Sequence, residues 1–575
     1  MKRGNLLYSI LFGLLMVFLF SFMIQEQFNL VKTRPLFGKF EEVQMPKFHL
    51  KTYKNGYYQK ATEKYVSKHF GFREPILRMY NQYCWDFYRK VFVGFTCPGK
   101  ENWLFYRHNV DDYYGTEMYR WFPDTESARQ SYEQEVRLLN KIRGILQEYD
   151  VTLLAFVAPS KNVVYPEFLP QRDFDTTSLN AREYYLKRFA ETGFPCFDMN
   201  AYFLQMKDTC SFYLFPPTGD HWNFSCVYAA DSLLRFMEQQ RHEQLPRIEY
   251  DNHWTSDCSI GDDKNHDLEG ELNLIRPIRF DSKYAYRERD YHVVSDSTTQ
   301  LASALFIGNS FLLRMMAYVP PKEVFSDFQF WYYNRVAYQG VDQNLDSVRL
   351  LNRLDYLMDA DYVIWFSSAS QLYRGSEGFA EDAILQLCIG EERFLERQNE
   401  LIDSLYDGKA DPEQVALMMR KDPEAYFPEI AGEGIPKARN PLLLTETYEQ
   451  KRDIRRQIKR DPQWMLAVTS NMATQNSSLQ EAIDQETENL LLGLPVLRDQ
   501  GIDPIAYKKA LIQQMEKKIW NNPEWIASLK KSAEEKGVEL DAWVHENARY
   551  MVNQKIQQGI IILPEPAQPD SLLLP

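Results

Sequence analysis

The central part of the chain alternates between two patterns of apolar and polar residues. Apolar residues at helical spacing predict amphipathic helices over residues 127–149, 180–192 and 227–239. Short, uninterrupted apolar runs predict buried strands at residues 151–157, 194–198, 304–307, 324–333 and 361–367. Because strands alternate with helices, the sequence predicts an α/β domain with a mostly parallel sheet. In such sheets the reactive side chains gather beyond the carboxyl ends of the strands.

The N-terminus has a different pattern. Lys2 and Arg3 precede residues 6–24, a run without charge that is long enough to span a bilayer. These basic residues predict a cytoplasmic N-terminus, with the rest of the chain on the other side of the membrane. A cleaved signal peptide is the alternative, but it needs a small-residue cleavage site, and the first alanine in the chain is Ala61. We therefore predict an uncleaved membrane anchor within residues 1–30.

Composition narrows the range of functions. The net charge of -14 argues against nucleic acid as a partner. Aromatic residues make up 14% of the chain, which suits clefts that bind sugars. The seven cysteines form no CxxC pair and have no histidine ligand set beside them. We therefore expect no metal and no cofactor.

One serine follows a predicted strand directly. The apolar run 304–307 ends at Gly308 and Asn309, which predict a tight turn, and strong helix formers follow Ser310. A serine at such a turn lies beside a helix N-terminus, whose free N–H groups can stabilise an oxyanion. Ser310 is thus a candidate nucleophile. The alternative is that Ser310 only caps the helix.

A candidate base lies in a polar loop ahead of a predicted helix. Asp220 and His221 are adjacent there. A histidine that takes the serine proton, with a carboxylate that orients the imidazole, is the minimum set for acyl transfer. His253 and His266 are competing histidines without an elbow-like partner. Spacing alone leaves open whether His221 meets Ser310.

The order of these motifs resembles the periplasmic, SGNH-hydrolase-like O-acetyltransferases of the alginate-acetylation type. That family has a D-x-H-W block before a G-[DN]-S-F block, a P-x-K-x-x-x-Y-P-E-x-x-P segment and a G-W-L-F stretch. The corresponding segments here are GDHW at 219–222, GNSF at 308–311, APSK at 158–161 with YPEFLP at 165–170, and NWLFY at 102–106. The resemblance runs from about residue 63 to 371. It implies an SGNH-hydrolase-like fold for this part of the chain.

The resemblance implies Ser310 as nucleophile and His221 as base. The family's acid lies two residues before the histidine, and that position here is Gly219. We predict Asp220 as the acid, because Gly219 is flexible enough to turn the next side chain toward His221. The alternatives are that Asp198 substitutes for it, or that the site has no acid.

Further residues are expected to stabilise the oxyanion or bind substrate. The backbone N–H of Ser310 is the expected oxyanion donor. The other candidates flank the nucleophile and the base or follow the strand at 324–333, and they are Asn309, Trp222, Tyr333, Asn334 and Arg335.

Beyond the resemblance the chain becomes charged and helix-prone. Asp or Asn followed by Pro recurs at 422–423, 461–462 and 522–523, each with an aromatic residue shortly after, which predicts helix starts. These segments predict either a docking module of helical hairpins or ordinary helix starts. We expect an acyltransferase domain over 31–390 and a helical region over 391–575, with a disordered tail from residue 564.

The sequence as a whole predicts a single-pass inner-membrane protein with most of its chain in the periplasm. It would transfer acetyl through an acyl-serine to hydroxyls of an exported polysaccharide, and the resemblance implies a membrane-bound O-acyltransferase partner that supplies the acetyl. A carbohydrate O-acetyl esterase is one alternative, because water can attack the same intermediate. A non-catalytic glycan-binding or assembly subunit is the other.

Overall fold

The computed structural model describes most of the chain. The described residues are 2–38, 43–115, 121–173, 180–210, 212–255, 266–279, 288–296, 298–339, 343–406, 409–475, 478–499, 504–520 and 522–557. The tail predicted to be disordered lies outside them.

The strands of this part of the chain form one sheet of seven strands and two sheets of two strands. They are β1 Thr96–Pro98, β2 Leu104–Tyr106, β3 Thr152–Ala158, β4 Cys196–Asp198, β5 Arg247–Thr255, β6 Glu288–Val294, β7 Ala302–Gly308, β8 Phe325–Tyr332, β9 Val336–Gln339, β10 Gln343–Ser347 and β11 Tyr362–Ser368. The large sheet has seven strands in the order β10-β9-β8-β7-β11-β3-β4. Strands β8, β7, β11, β3 and β4 are parallel, whereas β9 and β10 are antiparallel additions at one edge. The prediction of a mostly parallel sheet is confirmed.

Helices surround the sheet and fill both ends of the chain. Those of the N-terminal half are α1 Lys2–Phe28, α2 Leu50–Lys54, α3 Tyr57–Lys68, α4 Arg73–Tyr88, α5 Arg107–Tyr113, α6 Thr125–Glu148, α7 Lys161–Val164, α8 Ala181–Thr192, α9 Met199–Lys207, α10 Ser225–Arg241 and α11 Asp267–Leu272. Those of the C-terminal half are α12 Ser310–Tyr318, α13 Arg353–Asp359, α14 Phe379–Cys388, α15 Gly390–Tyr406, α16 Pro412–Lys421, α17 Pro423–Tyr426, α18 Glu446–Arg460, α19 Pro462–Gln475, α20 Leu479–Leu491, α21 Pro504–Trp520, α22 Pro523–Lys536 and α23 Leu540–Gln557.

The central strands are buried on both faces. In β3 the side chains alternate, so that Leu153 and Val157 join the core with α6, α8 and α14, while Leu154 and Phe156 join the core with α10 and α12. This double burial explains why the strands are continuous apolar runs in the sequence. The first of these cores extends along the chain as far as Leu443. Residues 391–443 thus share a core with the sheet, and the proposed domain division at residue 390 stays a prediction.

The N-terminal helix α1 is long and apolar enough to cross a membrane over Tyr8–Phe28. From Tyr8 to Phe28 the side chains are almost all exposed in the protein itself. A loop before α4 contacts it, because the Gly71 N–H donates to the Phe22 carbonyl at 3.2 Å. A Cβ at Gly71 would lie 2.3 Å from that carbonyl oxygen, so only glycine permits this approach.

Helix α18 packs against the end of the sheet where the parallel strands begin. Its Arg455 donates to Asp359 at 2.9 and 3.0 Å and to Asp355 at 3.0 Å. Lys459 lies 3.0 Å from Asp359, and all these side chains are buried. The buried ion pairs attach the C-terminal helices to the end of the sheet where the parallel strands begin, which is opposite the carboxyl ends of those strands.

The predicted Asp/Asn-Pro helix starts are confirmed. Asp422 and Asn522 each accept a hydrogen bond from a backbone N–H of the helix that follows, and Pro is the first residue of α17 and α22. Asp461 accepts in the same way from the Trp464 N–H at 3.1 Å ahead of α19.

Candidate active site

Ser310 follows the carboxyl end of β7 and is the first residue of α12. The residue that caps this helix is Asn309, whose Oδ1 accepts a hydrogen bond from the Phe311 N–H at 3.1 Å. The alternative that Ser310 only caps the helix is therefore wrong. Its hydroxyl instead lies 2.8 Å from His221 Nε2. The strand, the turn and the helix thus place the Ser310 hydroxyl next to His221. This explains the order of residue types at 304–313: an apolar strand, a Gly-Asn turn and then helix formers.

His221 lies in a loop that packs against the start of α12. The side chain is 23% exposed, so it is open to a substrate. Its ring packs against the ring of Phe311 in a tilted arrangement, with 5.1 Å between the centroids. The neighbouring Trp222 is fully buried, and its indole N–H donates to the Phe311 carbonyl at 3.1 Å. His221 and Ser310 are therefore held together by packing as well as by their own hydrogen bond.

The carboxylate that contacts the imidazole belongs to Asp267. Its Oδ2 lies 2.8 Å from His221 Nδ1. Its Oδ1 accepts from the Asp220 N–H at 2.9 Å and from the Leu268 N–H at 3.1 Å. Burial alone would raise the pKa of Asp267, but the hydrogen bond and the charge of His221 outweigh it, and the pKa is lowered. Asp267 is thus an ionised acceptor at neutral pH.

We predicted that the Asp220 carboxylate orients the imidazole, but in the structure the carboxylate that contacts it is that of Asp267. The Asp220 carboxylate accepts from Asn109 Nδ2 at 2.9 Å, while its backbone N–H is what reaches Asp267. The physical reason is that adjacent residues of an extended loop direct their side chains apart. The alternative, Asp198, caps α9 and forms an ion pair with Arg182, in the part of the sheet beyond β3.

Burial raises the pKa of Asp220 to about 6, and the positive charge of His221 opposes this rise. A second neighbouring cation is Lys161, which is wholly buried. Its ammonium donates to the carbonyls of Leu104, Pro217 and Gly219 at 2.6, 2.8 and 2.7 Å. Burial lowers the pKa of Lys161 to about 7, and the carboxylates of Asp220 and Asp267 oppose that shift. Lys161 therefore fixes the histidine loop.

The other predicted site residues differ in their surroundings. Asn309 and Tyr333 line a pocket beside Ser310, with Gln371 between them: Asn309 Nδ2 donates to Gln371 Oε1 at 3.0 Å and the Tyr333 hydroxyl donates to the same atom at 3.3 Å. Asn334 and Arg335 contact Glu377 at the rim instead. Trp222 is too deeply buried to touch a substrate.

The same pocket contains residues that sequence reasoning missed. Gln371, Arg374 and Glu377 follow β11 and line it. The Arg374 guanidinium lies 5.2 Å above the ring of Trp121, which is 49% exposed. The pocket thus has a cation in its lining and an exposed aromatic ring beside that cation, a combination that suits a sugar.

The residue that matters most among those missed is Asp267. The available signal was its position after His266, near the start of a short apolar-periodic helix. His266 itself contacts the histidine loop through Thr218, at 2.6 Å from Nδ1 to Oγ1. In the described parts of the chain no group of three His, Cys, Asp or Glu side chains is arranged to hold a metal ion.

Comparisons with known proteins agree with the sequence resemblance. Residues 97–309 match the family described as ALGX: SGNH hydrolase-like domain, acetyltransferase AlgX. The match covers less than half of the chain and includes β7, His221 and Asp267, and it ends just before Ser310. It confirms the resemblance to the SGNH-hydrolase-like acetyltransferases. No curated protein matches the chain.

The comparison with solved structures found matches that include three proteins. The O-acetyltransferase domain of Pseudomonas putida AlgJ is 18% identical, with 48% of this chain and 92% of that one covered and a TM-score of 0.31. Pseudomonas aeruginosa AlgX is 13% identical, with 52% and 67% covered and a TM-score of 0.31. Bacillus cereus PatB1 is 12% identical, with 43% and 92% covered and a TM-score of 0.26.

Proposed function

We propose, from the match of residues 97–309 to the SGNH hydrolase-like acetyltransferase domain, that this protein transfers acetyl through Ser310 to hydroxyls of an exported polysaccharide. The observation that carries the proposal is the continuous hydrogen-bonded chain from Ser310 Oγ through His221 to Asp267, with 2.8 Å at each contact. Serine acyl transfer needs this combination of nucleophile, base and orienting acid.

In the first half-reaction His221 Nε2 takes the proton of Ser310 as Oγ attacks the acetyl carbonyl of the donor. Asp267 holds the Nδ1–H and stabilises the imidazolium that forms. The N–H of Ser310, at the N-terminus of α12, is the proposed oxyanion donor. His221 then gives its proton to the leaving group, and acetyl remains as an ester on Ser310.

In the second half-reaction the roles reverse. A sugar hydroxyl gives its proton to His221 and attacks the acetyl carbonyl, and Ser310 recovers its proton as the ester bond breaks. We propose that the acceptor sugar occupies the pocket of Asn309, Tyr333 and Gln371 and stacks on Trp121. The pocket supports this role because it adjoins the nucleophile and offers amide, hydroxyl and aromatic groups.

The proposal includes a location and a partner. We propose that α1 is an uncleaved anchor in the inner membrane and that the remainder of the chain is periplasmic. A membrane-bound O-acyltransferase would supply the acetyl, as the family resemblance implies. N-terminal sequencing of the membrane-bound protein tests the anchor, because the mature chain should still contain residues 6–24.

The activity is tested with the full chain in detergent, an acetyl ester donor and candidate oligosaccharides. Mass spectrometry should find acetyl on Ser310 and on the sugar. Ser310→Ala and His221→Ala should lose both products, and Ser404→Ala, an exposed serine in α15, should keep them. Acetyl released only to water would favour the esterase. Glycan binding without any acetyl on Ser310 would overturn acyl transfer in favour of a binding subunit.

A further inference from the structure

Helix α4 has apolar side chains on two opposite faces. One face carries Trp85, which is buried with Leu268 and Leu272 of α11. The other face is exposed to solvent. Its residues recur at helical spacing, and they are Ile76, Tyr80, Tyr83 and Phe87, with exposures of 38, 52, 50 and 72%. Such a stripe on a helix that already has a buried face is typical of a surface that contacts something else.

The charge around α4 differs in sign from that of the protein. Residues 46–95 contain ten lysines and arginines but three acidic residues, whereas the whole chain has a net charge of -14. Lys51, Lys54, Lys60 and Lys64 of the two preceding helices are exposed. A basic segment with exposed aromatic residues matches an anionic lipid surface in both its charge and its apolar groups.

The position of this segment is fixed by α1. The rings of Phe70 and Phe72 each lie 6.3 Å from the ring of Phe22, inside the apolar span, and Gly71 bonds to the Phe22 carbonyl. Residue 22 lies six positions before the end of the span at Phe28. At a rise of about 1.5 Å per residue, the start of α4 therefore lies about 9 Å below the end of the span wherever α1 crosses a bilayer, within the depth that interfacial helices occupy.

We propose that the exposed aromatic face of α4 lies on the anionic phospholipid surface of the membrane that α1 spans. The inference rests on the proposed anchor and does not need the proposed chemistry. The aromatic rings occupy the interfacial layer, where Tyr and Phe are stable because their apolar bodies leave water, and the lysines of α2 and α3 face the phosphate groups.

This contact also fixes the candidate active site relative to the bilayer. The opposite face of α4 holds the segment after α11: Asn81 donates to the Leu272 carbonyl at 2.8 Å, and Gln82 Oε1 accepts from the N–H groups of Ile275 and Arg276 at 3.1 and 3.0 Å. Helix α11 begins with Asp267. A single short helix thus connects the membrane-facing surface to the carboxylate that contacts His221.

The test uses the full chain in proteoliposomes, with a photoreactive aromatic residue, p-benzoylphenylalanine, at one position at a time. The positions are Tyr83 and Phe87 on α4, Leu14 on α1, and Tyr550 on α23 as a matched control that is 61% exposed. After irradiation, mass spectrometry of peptides measures the lipid adduct at each position. One set of vesicles is phosphatidylcholine alone, and the other also contains phosphatidylglycerol.

We expect lipid adducts at Leu14, Tyr83 and Phe87, none at Tyr550, and higher yields on α4 when phosphatidylglycerol is present. Adducts at Leu14 without adducts on α4 overturn the inference, leave the anchor intact, and favour a protein partner for this face. No adduct at Leu14 overturns the anchor and the inference together. Yields on α4 that are equal in both vesicles overturn the anionic specificity. None of these outcomes depends on acetyl transfer.

Discussion

Asp267 Oδ2 lies 2.8 Å from His221 Nδ1, although 46 residues separate the two positions in the chain. The contact depends on α11, whose first residue is Asp267, and on the Asp220 N–H, which holds the second carboxylate oxygen. The acid of the candidate site therefore comes from a different segment than the family motif implies. The backbone N–H of Asp220, beside His221, still helps to position the Asp267 carboxylate.

The first prediction separates the two carboxylates. Asp267→Asn should lower kcat by about 10⁴, as loss of the orienting acid does in a serine protease, because the amide can favour the wrong imidazole tautomer. Asp220→Asn should cause a small loss, because its backbone N–H still reaches Asp267 and its side-chain oxygen can still accept from Asn109. Turnover of acetyl ester by the two purified variants checks this, with Asp198→Asn as control. A large loss in Asp220→Asn alone would restore Asp220 as the acid.

The second prediction concerns pH and Glu271, in α11. Burial raises its pKa from 4.5 to about 7, and only the hydrogen bond from Thr96 opposes this. Between these values the folded protein binds more protons than the unfolded chain, so stability falls as pH rises from 4.5 to 7. Glu271→Gln removes this loss. After allowance for partial solvent screening, the free energy of unfolding of Glu271→Gln should exceed that of wild type by about 1 kcal/mol at the upper end of this pH range.

Urea midpoints of wild type and Glu271→Gln, measured from below the ordinary pKa of a glutamate to above the raised pKa of Glu271, give the difference in stability. It should be smallest at the acidic end and level off above the raised pKa. A constant difference at all pH values would mean that Glu271 ionises normally in the folded protein.

The third prediction is that Gly71→Ala detaches the α4 loop from α1. The added methyl would lie 2.3 Å from the Phe22 carbonyl oxygen and 2.6 Å from Gln25 Cβ, and helix backbone has no room to yield. Trypsin should then cleave faster after Lys32, in the segment that follows the anchor. Gly94→Ala is the matched control, since nothing lies within 4 Å of its added methyl. Equal cleavage rates in the two variants would contradict the tight contact.

The fourth prediction concerns the buried ion pairs of α18. Arg455→Met leaves Asp359 and Asp355 without their main partner, and breaking a buried pair in this way should cost about 3–5 kcal/mol. Arg549→Met removes an exposed pair with Glu546 and should cost less than about 1 kcal/mol. Urea unfolding followed by tryptophan fluorescence compares the variants. Equal midpoints for both would show that the pairs at the base of the sheet contribute little.

Much of the fold could be predicted because the central strands are buried on both faces and their sequences are therefore apolar throughout. Strands such as β3 and β11 are apolar on both faces, so a continuous run is enough to find them. Strands β9 and β10 were missed because they are short edge strands of mixed polarity, VAYQ and QNLDS. The pairing of β9 with β8 and of β10 with β9 depends on the neighbouring strand rather than on a local sequence pattern.

The site could be predicted only where local motifs define it. Ser310 follows a strand-turn-helix pattern, and His221 lies in a motif shared with a family, so both could be named. Asp267 has no such pattern, because its role follows from the docking of α11 on the histidine loop. That docking depends on contacts of Thr218 with His266 and with the Glu269 N–H, which sequence spacing does not encode.

The ion pairs between α18 and the start of β11 also determine when the protein can finish folding during synthesis. Asp361 immediately precedes β11, and its partner Arg456 lies 95 residues later in the chain. A ribosome that adds 5–20 residues per second needs roughly 5–20 s to make that interval. During this time the carboxylates at the base of the sheet lack their cations, and the nascent domain remains open to proteases at that edge. The helix made late thus determines when the sheet made early becomes resistant to degradation.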